Sequence, residues 1–354
     1  MKILIVNPGS TSTKIGIYED EVPIFEKTLR HTMEELAGYE KVSDQYEFRM
    51  QIIIEEIKNA GFVIEDFSAV CGMGGLLKPI AGGTYYVDEK MVEELKSAKQ
   101  GDHASNLGGL IAKAIADKIN VPAFIVDPVV VDEFVPISRI SGHPLLKRRS
   151  IFHALNQKAT ARKYCRETGV KYENINLVMV HMGGGISITA HEKGRAIDSN
   201  NALDGCGPFT PERSGGLPSG DLAALCFSGE YTHTDIKALI KGKGGMVAYF
   251  GTNSMIELEE RARTDAEVKL VIDAMALQVS KDIASMSASL YGKVDAIIIT
   301  GGIAHSNYIT AEITRRVSFI APVKVYPGED ELAALNSGAL RVMLGEEEGK
   351  RYNP

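Results

Sequence analysis

Cysteines are few in this sequence, and none lies in a pattern that binds a metal or builds a disulfide framework. Cys71, Cys165, Cys206 and Cys226 are far apart, with no Cys-x-x-Cys pair and no histidine at ligand spacing. This excludes a zinc site of the usual kind and favours reduced thiols. The N-terminus also lacks a signal-peptide pattern, because Met1-Lys2 runs straight into an apolar strand. Both absences predict a cytoplasmic location.

Long apolar runs and long basic runs are missing as well. No apolar run approaches the ~20 residues that cross a bilayer, so no membrane partner is expected. The net charge is −7, and the densest basic patch is the short Lys147-Arg148-Arg149. Such a patch cannot follow a duplex, so nucleic acid is not an expected partner.

Several common catalytic motifs are absent. The P-loop pattern G-x-x-x-x-G-K-[ST] does not occur, and neither do the protein-kinase set, G-x-S-x-G or H-E-x-x-H. An ordinary P-loop enzyme is therefore disfavoured.

What is present describes a folded α/β chain. Its 354 residues exceed what one core usually supports, which favours two domains, and 44% of them are hydrophobic. Strands alternate with helices for most of the length, which predicts substantial parallel pairing. Strands are expected at 69–72 and 123–126, and helices at 49–60, 88–99, 102–119 or 105–119, 152–167, 264–290 and 327–344.

Three apolar strands each run into a glycine-containing turn. The first passes from 3–6 into the turn 7–13 and returns as an alternating strand. The second, from 175 to 190, repeats this design around Gly183-Gly184-Gly185, and the third runs from 295 into Gly301-Gly302. Glycine permits close approach to an anion, and a turn crowded with N–H groups suits a phosphate. An ordinary hairpin is the alternative for any one turn, but three together indicate a nucleotide site.

Polar residues follow three apolar strands at their carboxyl ends. Asn7, Asp127 and His181 stand where an α/β fold places its active site, so they are expected to converge on a cleft. Each also has a structural interpretation: a turn former, the cap of a turn before Pro128, and a satisfied buried imidazole.

Phosphoryl transfer needs positioning and positive charge, usually with a metal ion. Arg213 lies in a glycine- and proline-rich loop, His153 opens a predicted helix whose positive end favours anions, and Glu331 at another helix start could hold Mg²⁺. An exposed loop arginine and a helix-dipole carboxylate are the alternatives for Arg213 and Glu331.

The chain resembles the acetate and butyrate kinase family, within the superfamily of sugar kinases, actin and heat-shock chaperones. The resemblance covers nearly the whole chain, and it is similar to the butyrate kinase branch in particular. It is carried by the segments 7–14, 72–80, 102–108, 126–133, 150–158 and 181–185.

The resemblance implies a fold of two duplicated ribonuclease-H-like (actin-like ATPase) domains with a nucleotide cleft between them. The expected bounds are 1–135 with 329–354, which return as a C-terminal helix, and 136–328. It also implies ATP or ADP and Mg²⁺ as cofactors, a small carboxylic acid as substrate, and a homodimer or higher homo-oligomer.

The same resemblance assigns roles to individual residues. Asn7 and Asp127 would position Mg²⁺ or the phosphoryl group, His153 would stabilise the transferring group, Arg213 would neutralise the acceptor carboxylate, and Glu331 would organise the metal. Asn7 and Glu331 are the implied metal ligands. Substrate contacts are implied for Met73, His103 and Phe152, and nucleotide contacts for Ser10, Ser12, Lys14, His181, Gly183, Gly184, Gly185, Gly251, Thr252, Asn253, Gly301, Gly302, Ile303 and Ala304.

One residue departs from the family pattern. Butyrate kinases usually carry an arginine in the loop where this chain has Met73, and a lost guanidinium removes a bidentate partner for a carboxylate or phosphate. Our hypothesis is that Met73, Leu76 and Phe152 line an apolar pocket that favours butyrate or a branched, isobutyrate-like acid over acetate.

The predicted function is reversible phosphoryl transfer from ATP to a short-chain fatty acid, which gives an acyl phosphate and ADP. An acetate or propionate kinase is one alternative, against which Gly184 speaks because acetate kinases tend to have asparagine there. A non-catalytic, ATP-binding actin-like module is the other, and Met73 leaves room for it.

Overall fold

A computed structural model describes all residues, 1–354, and the chain divides into two compact units. Unit 1 comprises Met1–Asp132 and Asp330–Pro354, and unit 2 comprises Glu133–Glu329. The first unit is therefore built from both ends of the chain.

The secondary structure alternates between strands and helices, as an α/β fold requires. The strands are β1 (Lys2–Pro8), β2 (Ser12–Glu19), β3 (Val22–Arg30), β4 (Ala69–Gly72), β5 (Thr84–Tyr86), β6 (Ala123–Val126), β7 (Asn176–Met182), β8 (Ile186–Glu192), β9 (Arg195–Ser199), β10 (Ala296–Gly301) and β11 (Val323–Pro327). The helices are α1 (Met33–Leu36), α2 (Tyr46–Asn59), α3 (Glu89–Ser97), α4 (Asn106–Ile119), α5 (Ala154–Thr168), α6 (Ser219–Cys226), α7 (His233–Ile240), α8 (Gly245–Phe250), α9 (Met255–Arg261), α10 (Ala266–Ser289), α11 (Asn307–Val317) and α12 (Glu331–Met343). None of these helices combines the length and the apolar character needed to cross a membrane.

Unit 1 contains a six-stranded sheet in the order β3-β2-β1-β4-β6-β5. The first three strands form an antiparallel meander, β4 and β6 run parallel to β1, and β5 is antiparallel at the edge. Successive side chains of a strand point to opposite faces. Leu4 and Val6 thus lie in the core under α2 and α4, while α12 packs on the other face, where the carbonyl of Leu335 approaches Cys71.

Unit 2 repeats this arrangement with the order β9-β8-β7-β10-β11. Again three antiparallel strands lead into two parallel ones, so the predicted α/β class and the duplicated hairpin are confirmed. Val178 and Val180 face the core built by α10, while Leu177 and Met179 face α5. His181, with the parity of Leu177 and Met179, is therefore directed to the α5 face.

Several predicted boundaries need correction. The long helix α10 begins at Ala266 and not at 264, and its N-cap is Asp265, whose carboxylate accepts the N–H groups of Glu267 and Val268. The last helix begins at Glu331, because Pro327 belongs to β11 and Asp330 is the N-cap. Helix α5 begins at Ala154, with His153 in the N-cap position. The strands β3, β5, β9 and β11 and the helices α1, α6 to α9 and α11 were not predicted.

Candidate active site

Asn7 and Glu331 lie together in unit 1, although 324 positions separate them in the chain. Asn7 has the parity of Ile3 and Ile5, so its side chain points to the face covered by α12. There its Nδ2 donates a 2.6 Å hydrogen bond to Oε2 of Glu331, the first residue of α12. Lys14 stands directly opposite Asn7 on β2, which places its side chain on the same face. The Asn7 amide and the Glu331 carboxylate thus lie together on the sheet face that also carries the Lys14 side chain.

Asp127 adopts an unusual backbone conformation at the end of β6. Its φ of 37° is positive, which costs free energy for a residue other than glycine and often marks a functional position. The side chain is buried, and its Oδ1 accepts the N–H of Gly83 at 2.7 Å, while its own N–H donates to the Gly83 carbonyl. Because β1, β4 and β6 are parallel, Asp127 lies at the same sheet edge as Asn7.

Met73 follows β4 at this edge, and its N–H donates to the Val6 carbonyl at 2.9 Å. The loop behind it is held by the buried Asn106, whose Oδ1 accepts the N–H of Leu76 at 2.7 Å. His103 is exposed, and its Nδ1 lies 2.9 Å from the hydroxyl of Ser105. The structure therefore places Met73 with Asn7 and Asp127, whereas His103 sits in the turn before α4.

Arg49, which the sequence argument did not single out, organises the first hairpin turn. Its guanidinium is fully buried and donates to the carbonyls of Gly9 (2.7 Å), Ser10 (2.8 Å) and Ser12 (3.1 Å). In a trans peptide the following N–H points away from the carbonyl. The N–H groups of Ser10 and Thr11 therefore point away from Arg49.

His153 and His181 are stacked in unit 2. Their ring centroids are 3.8 Å apart with an interplanar angle of 15°, and His181 Nδ1 lies 2.8 Å from Oδ1 of Asn156. Burial lowers the pKa of His153 to about 4, with a further contribution from the positive charge of Arg213. Burial, His153 and Arg213 also hold the pKa of His181 well below its usual value. Both rings are therefore neutral at neutral pH.

Arg213 is packed against the glycine turn that joins β7 and β8. A Cβ on Gly185 would collide with Arg213 Nη1, so a larger residue there would displace the guanidinium from its position. The same Nη1 donates to the carbonyl of Ala202, whereas the buried Nε has no partner in the structure. Thr210 supports this loop, because its hydroxyl donates to the Gly184 carbonyl at 2.7 Å.

The other predicted nucleotide-binding loops are the turn after β10 and the loop after α8. Gly301 ends β10 with a φ of 91°, and a Cβ there would lie 2.4 Å from the Met182 carbonyl, so β7 and β10 are in close contact. Gly302, Ile303 and Ala304 continue as a short 3-10 turn. Glu212 Oε2 links two further loops, since it lies 3.5 Å from Asn253 Nδ2. Gly251 ends α8, and Thr252 bonds Glu257 at 3.0 Å.

Phe152, predicted to contact substrate, is only 1% exposed. Its ring packs edge-on against His191 at 6.3 Å, which supports the neighbouring His153 from the core side.

Taken unit by unit, the structure groups Asn7, Lys14, Met73, Asp127 and Glu331 in unit 1. In unit 2 it groups His153, His181, Arg213 and the glycine turns.

No group of three or more histidine, cysteine, aspartate or glutamate side chains gathers as a metal site. Mg²⁺ is commonly held by one or two carboxylates, with water and substrate phosphates completing the shell. The hydrogen bond from Asn7 Nδ2 to Glu331 leaves the Asn7 Oδ1 and a second Glu331 oxygen as donors of the type that Mg²⁺ prefers. The residues present therefore fit this ion.

Comparisons with known proteins agree on one family. Residues 136–328 match the family model described as the acetokinase family. Butyrate kinase 2 of Clostridium acetobutylicum is 55% identical over 352 residues, 99% of each chain, and a probable butyrate kinase of Listeria innocua is 52% identical over 99% of each chain.

Solved structures show a similar fold. Porphyromonas gingivalis acetate kinase aligns with a TM-score of 0.78 at 17% identity, over 97% of this chain and 99% of that one. A propionate kinase from Francisella tularensis aligns with a TM-score of 0.72 at 16% identity, over 95% and 98%.

Proposed function

Because the chain belongs to the acetokinase family, we propose that it catalyses reversible phosphoryl transfer between ATP and the carboxylate of a short-chain fatty acid. The observation that carries this is the 55% identity to a butyrate kinase over 99% of both chains. Butyrate or a branched acid of similar size is the proposed acceptor. A carboxylate oxygen forms a bond to the γ-phosphorus while the bond to the β-phosphate oxygen breaks, which gives acyl phosphate and ADP. No proton needs to move, since the acid is already ionised.

The residues of unit 1 are proposed to position the phosphoryl group. Asn7 Oδ1 and the free oxygen of Glu331 would hold Mg²⁺, which when bound neutralises charge on the nucleotide phosphates. Asp127 orients this edge of the sheet through its hydrogen bonds to Gly83, and Lys14 adds a positive charge on the Asn7 face. The N–H groups of Ser10 and Thr11, directed by Arg49, are suited to phosphate oxygens.

The residues of unit 2 are proposed to stabilise charge that develops during transfer. Arg213 carries a guanidinium with a free Nε–H donor, and the neutral His153 supplies one further N–H. Preorganised donors aimed at developing charge contribute more than any other single effect in many enzymes. The turns at Gly183–Gly185, Gly251–Asn253 and Gly301–Ala304 would contact the nucleotide, as their backbone allows close approach.

The remaining proposals concern assembly and location. A homodimer or higher homo-oligomer is proposed from the resemblance alone, and a cytoplasmic location from the four dispersed cysteines. Sedimentation of the purified protein over a range of concentrations tests the first part.

The activity is tested with a hydroxamate assay for acyl phosphate. Acetate, propionate, butyrate, isobutyrate and isovalerate are each incubated with ATP and Mg²⁺, and ATP binding is measured by calorimetry in parallel. The proposal expects acyl phosphate with an optimum at a four- or five-carbon acid. ATP binding without acyl phosphate from any acid would favour a non-catalytic module, and an optimum at acetate or propionate would assign the alternative kinase.

A further inference from the structure

A continuous chain of buried hydrogen bonds ends on the imidazole of His153. It begins at the Tyr172 hydroxyl, 2.6 Å from His191 Nδ1, and continues from His191 Nε2 to Gln157 Oε1 at 3.1 Å. Gln157 Nε2 then reaches the carbonyl and the hydroxyl of Ser187 at 3.1 and 2.8 Å. The Ser187 hydroxyl finally lies 2.8 Å from His153 Nδ1.

The direction of every bond in this chain follows from one group that can only accept. The carbonyl of Ser187 has no proton to give, so the atom of Gln157 that faces it must be the donating Nε2. Gln157 Oε1 then faces His191 and accepts, which requires a proton on His191 Nε2. Burial and the neighbouring Lys158 lower the pKa of His191 to about 3, so the ring is neutral and its Nδ1 accepts from Tyr172.

The hydrogen bonds of Ser187 determine which ring nitrogen of His153 carries the proton. The Ser187 oxygen has two lone pairs, which accept from Gln157 Nε2 and, at 3.3 Å, from the backbone N–H of His153. Its single hydroxyl proton is therefore left for His153 Nδ1, the only other group within reach. An imidazole nitrogen that accepts a hydrogen bond carries no proton. The proton of the neutral ring is then on Nε2.

We propose that Gln157, acting through Ser187, is a positioning residue that holds His153 as the Nε2–H tautomer, so that Nε2 donates a hydrogen bond to the transferring phosphoryl group and does not accept one. This inference rests on the proposed function. Gln157 is one helical turn after His153, and its N–H bonds the His153 carbonyl at 3.0 Å, so α5 fixes both ends of the arrangement. Stacking on His181 at 3.8 Å limits rotation of the ring.

The tautomer is read directly by nitrogen NMR of the protein labelled with ¹⁵N-histidine. Long-range correlations distinguish a protonated from an unprotonated ring nitrogen, and His153→Asn identifies the signals. The wild-type protein is expected to show unprotonated Nδ1 and protonated Nε2 on residue 153. A proton on Nδ1 would overturn the inference.

Two substitutions test the role of the chain itself. Gln157→Met removes the donors to Ser187, and Ser187→Ala removes the donor to His153, so both should give a mixture of tautomers. The kcat is expected to fall about tenfold or more, below the roughly 10²–10³-fold loss of a whole oxyanion donor, with the KM for ATP little changed. Ser187→Thr, which keeps the hydroxyl, should restore the single tautomer and most of the rate.

Thr189→Val is the matched control, since it removes another buried hydroxyl of β8, bonded to Ser199 at 2.9 Å and not to His153. It should leave both tautomer and kcat unchanged. Unchanged tautomer and rate in Gln157→Met would overturn the positioning role. Acyl phosphate formation by a wild-type protein with Nδ1–H would overturn this inference alone, whereas no acyl phosphate at all would overturn the proposed function and this role with it.

Discussion

At the scale of single residues, the candidate site holds positive charge that is removed from water. Arg213 is the clearest case, because its guanidinium is packed against Gly185 and Ala202 with one buried donor unpaired. Burial lowers the pKa of this group from its usual value, yet an arginine keeps its charge. A charge in such a position is poised to meet an anionic ligand.

Arg213→Ala should therefore lower kcat by on the order of 10³-fold while the fold persists, since an arginine at a transferring phosphoryl group is worth roughly 10³–10⁵. Circular dichroism and melting temperature check the fold, and the hydroxamate assay gives kcat. Arg149→Ala is the control, because this arginine is exposed and forms only a surface ion pair, with Asp204 at 3.6 Å. Near-normal turnover in Arg213→Ala would remove it from the active site.

The proposed preference for longer or branched acids can be tested at Met73. If its side chain contacts the acid, each extra buried CH₂ contributes about 0.8 kcal/mol, so kcat/KM should rise by at most about tenfold per methylene up to butyrate or isovalerate. Met73→Arg should move the optimum toward shorter acids. The measurement is kcat/KM for each acid from acetate to isovalerate, in the wild-type protein and in Met73→Arg. A wild-type optimum at acetate would contradict the proposed apolar pocket.

At the scale of elements, each functional side chain is set by where a strand or helix ends. The parallel strands β1, β4 and β6 place Asn7, Met73 and Asp127 at one edge, and β7 and β10 do the same for His181 and the Gly301 loop. Arg49 at the start of α2 then gives the β1–β2 turn its shape.

Arg49→Met should leave the carbonyls of Gly9, Ser10 and Ser12 without this donor. Hydrogen bonds to charged groups contribute about 1.5–3 kcal/mol, so a loss of roughly 3 kcal/mol in the free energy of unfolding is expected. The Kd for ATP should also rise, because the turn amides are no longer held outward. Urea unfolding and calorimetry measure both, and Lys58→Met, which removes an exposed cation of the same helix, is the control. An unchanged Kd in folded Arg49→Met would separate this turn from phosphate binding.

At the scale of the whole molecule, buried imidazoles couple stability to pH. The pKa values of His31, His153, His181 and His191 are all lowered, in each case mainly by burial, and those of His153 and His191 fall to about 4 and about 3. The unfolded chain binds protons on these groups below its ordinary pKa of about 6.5, whereas the folded chain does not. Stability contributed by the neutral rings is thus present above about pH 6.5 and is lost as the pH falls.

The free energy of unfolding, measured in urea, should therefore decrease as the pH falls from about 6.5 toward 4, by at most roughly 1.4 kcal/mol per pH unit for each imidazole that stays neutral in the folded chain. Replacing His31 by glutamine should reduce this slope, because its pKa is lowered in the folded chain. Equal stability at pH 7 and pH 5 would contradict the burial of these rings in the neutral form.

Much of the architecture follows from local sequence pattern. Apolar runs ending in glycine predicted the hairpins of both sheets, and local sequence pattern predicted α3 and α4 to within a few residues. The short edge strands β5 and β9 and the helices α6 to α9 were not predicted, because segments of three to eight residues show too little periodicity. The residue roles predicted for the site stay predictions, as do the domain bounds at 135/136 and 328/329.

What the sequence by itself determined is therefore the alternation of elements, the duplicated glycine-tipped hairpin and the residue types of a phosphoryl-transfer site. Only the tertiary structure decided which distant residues are hydrogen-bonded. Asn7 bonds Glu331, 324 positions away in the chain, and Arg49 bonds the turn that lies 40 positions before it. Gln157 likewise bonds Ser187, 30 positions away. The physical reason is that periodicity and capping act between neighbours in the chain. A hydrogen bond acts between neighbours in space, and only the packed sheets and helices bring such partners together.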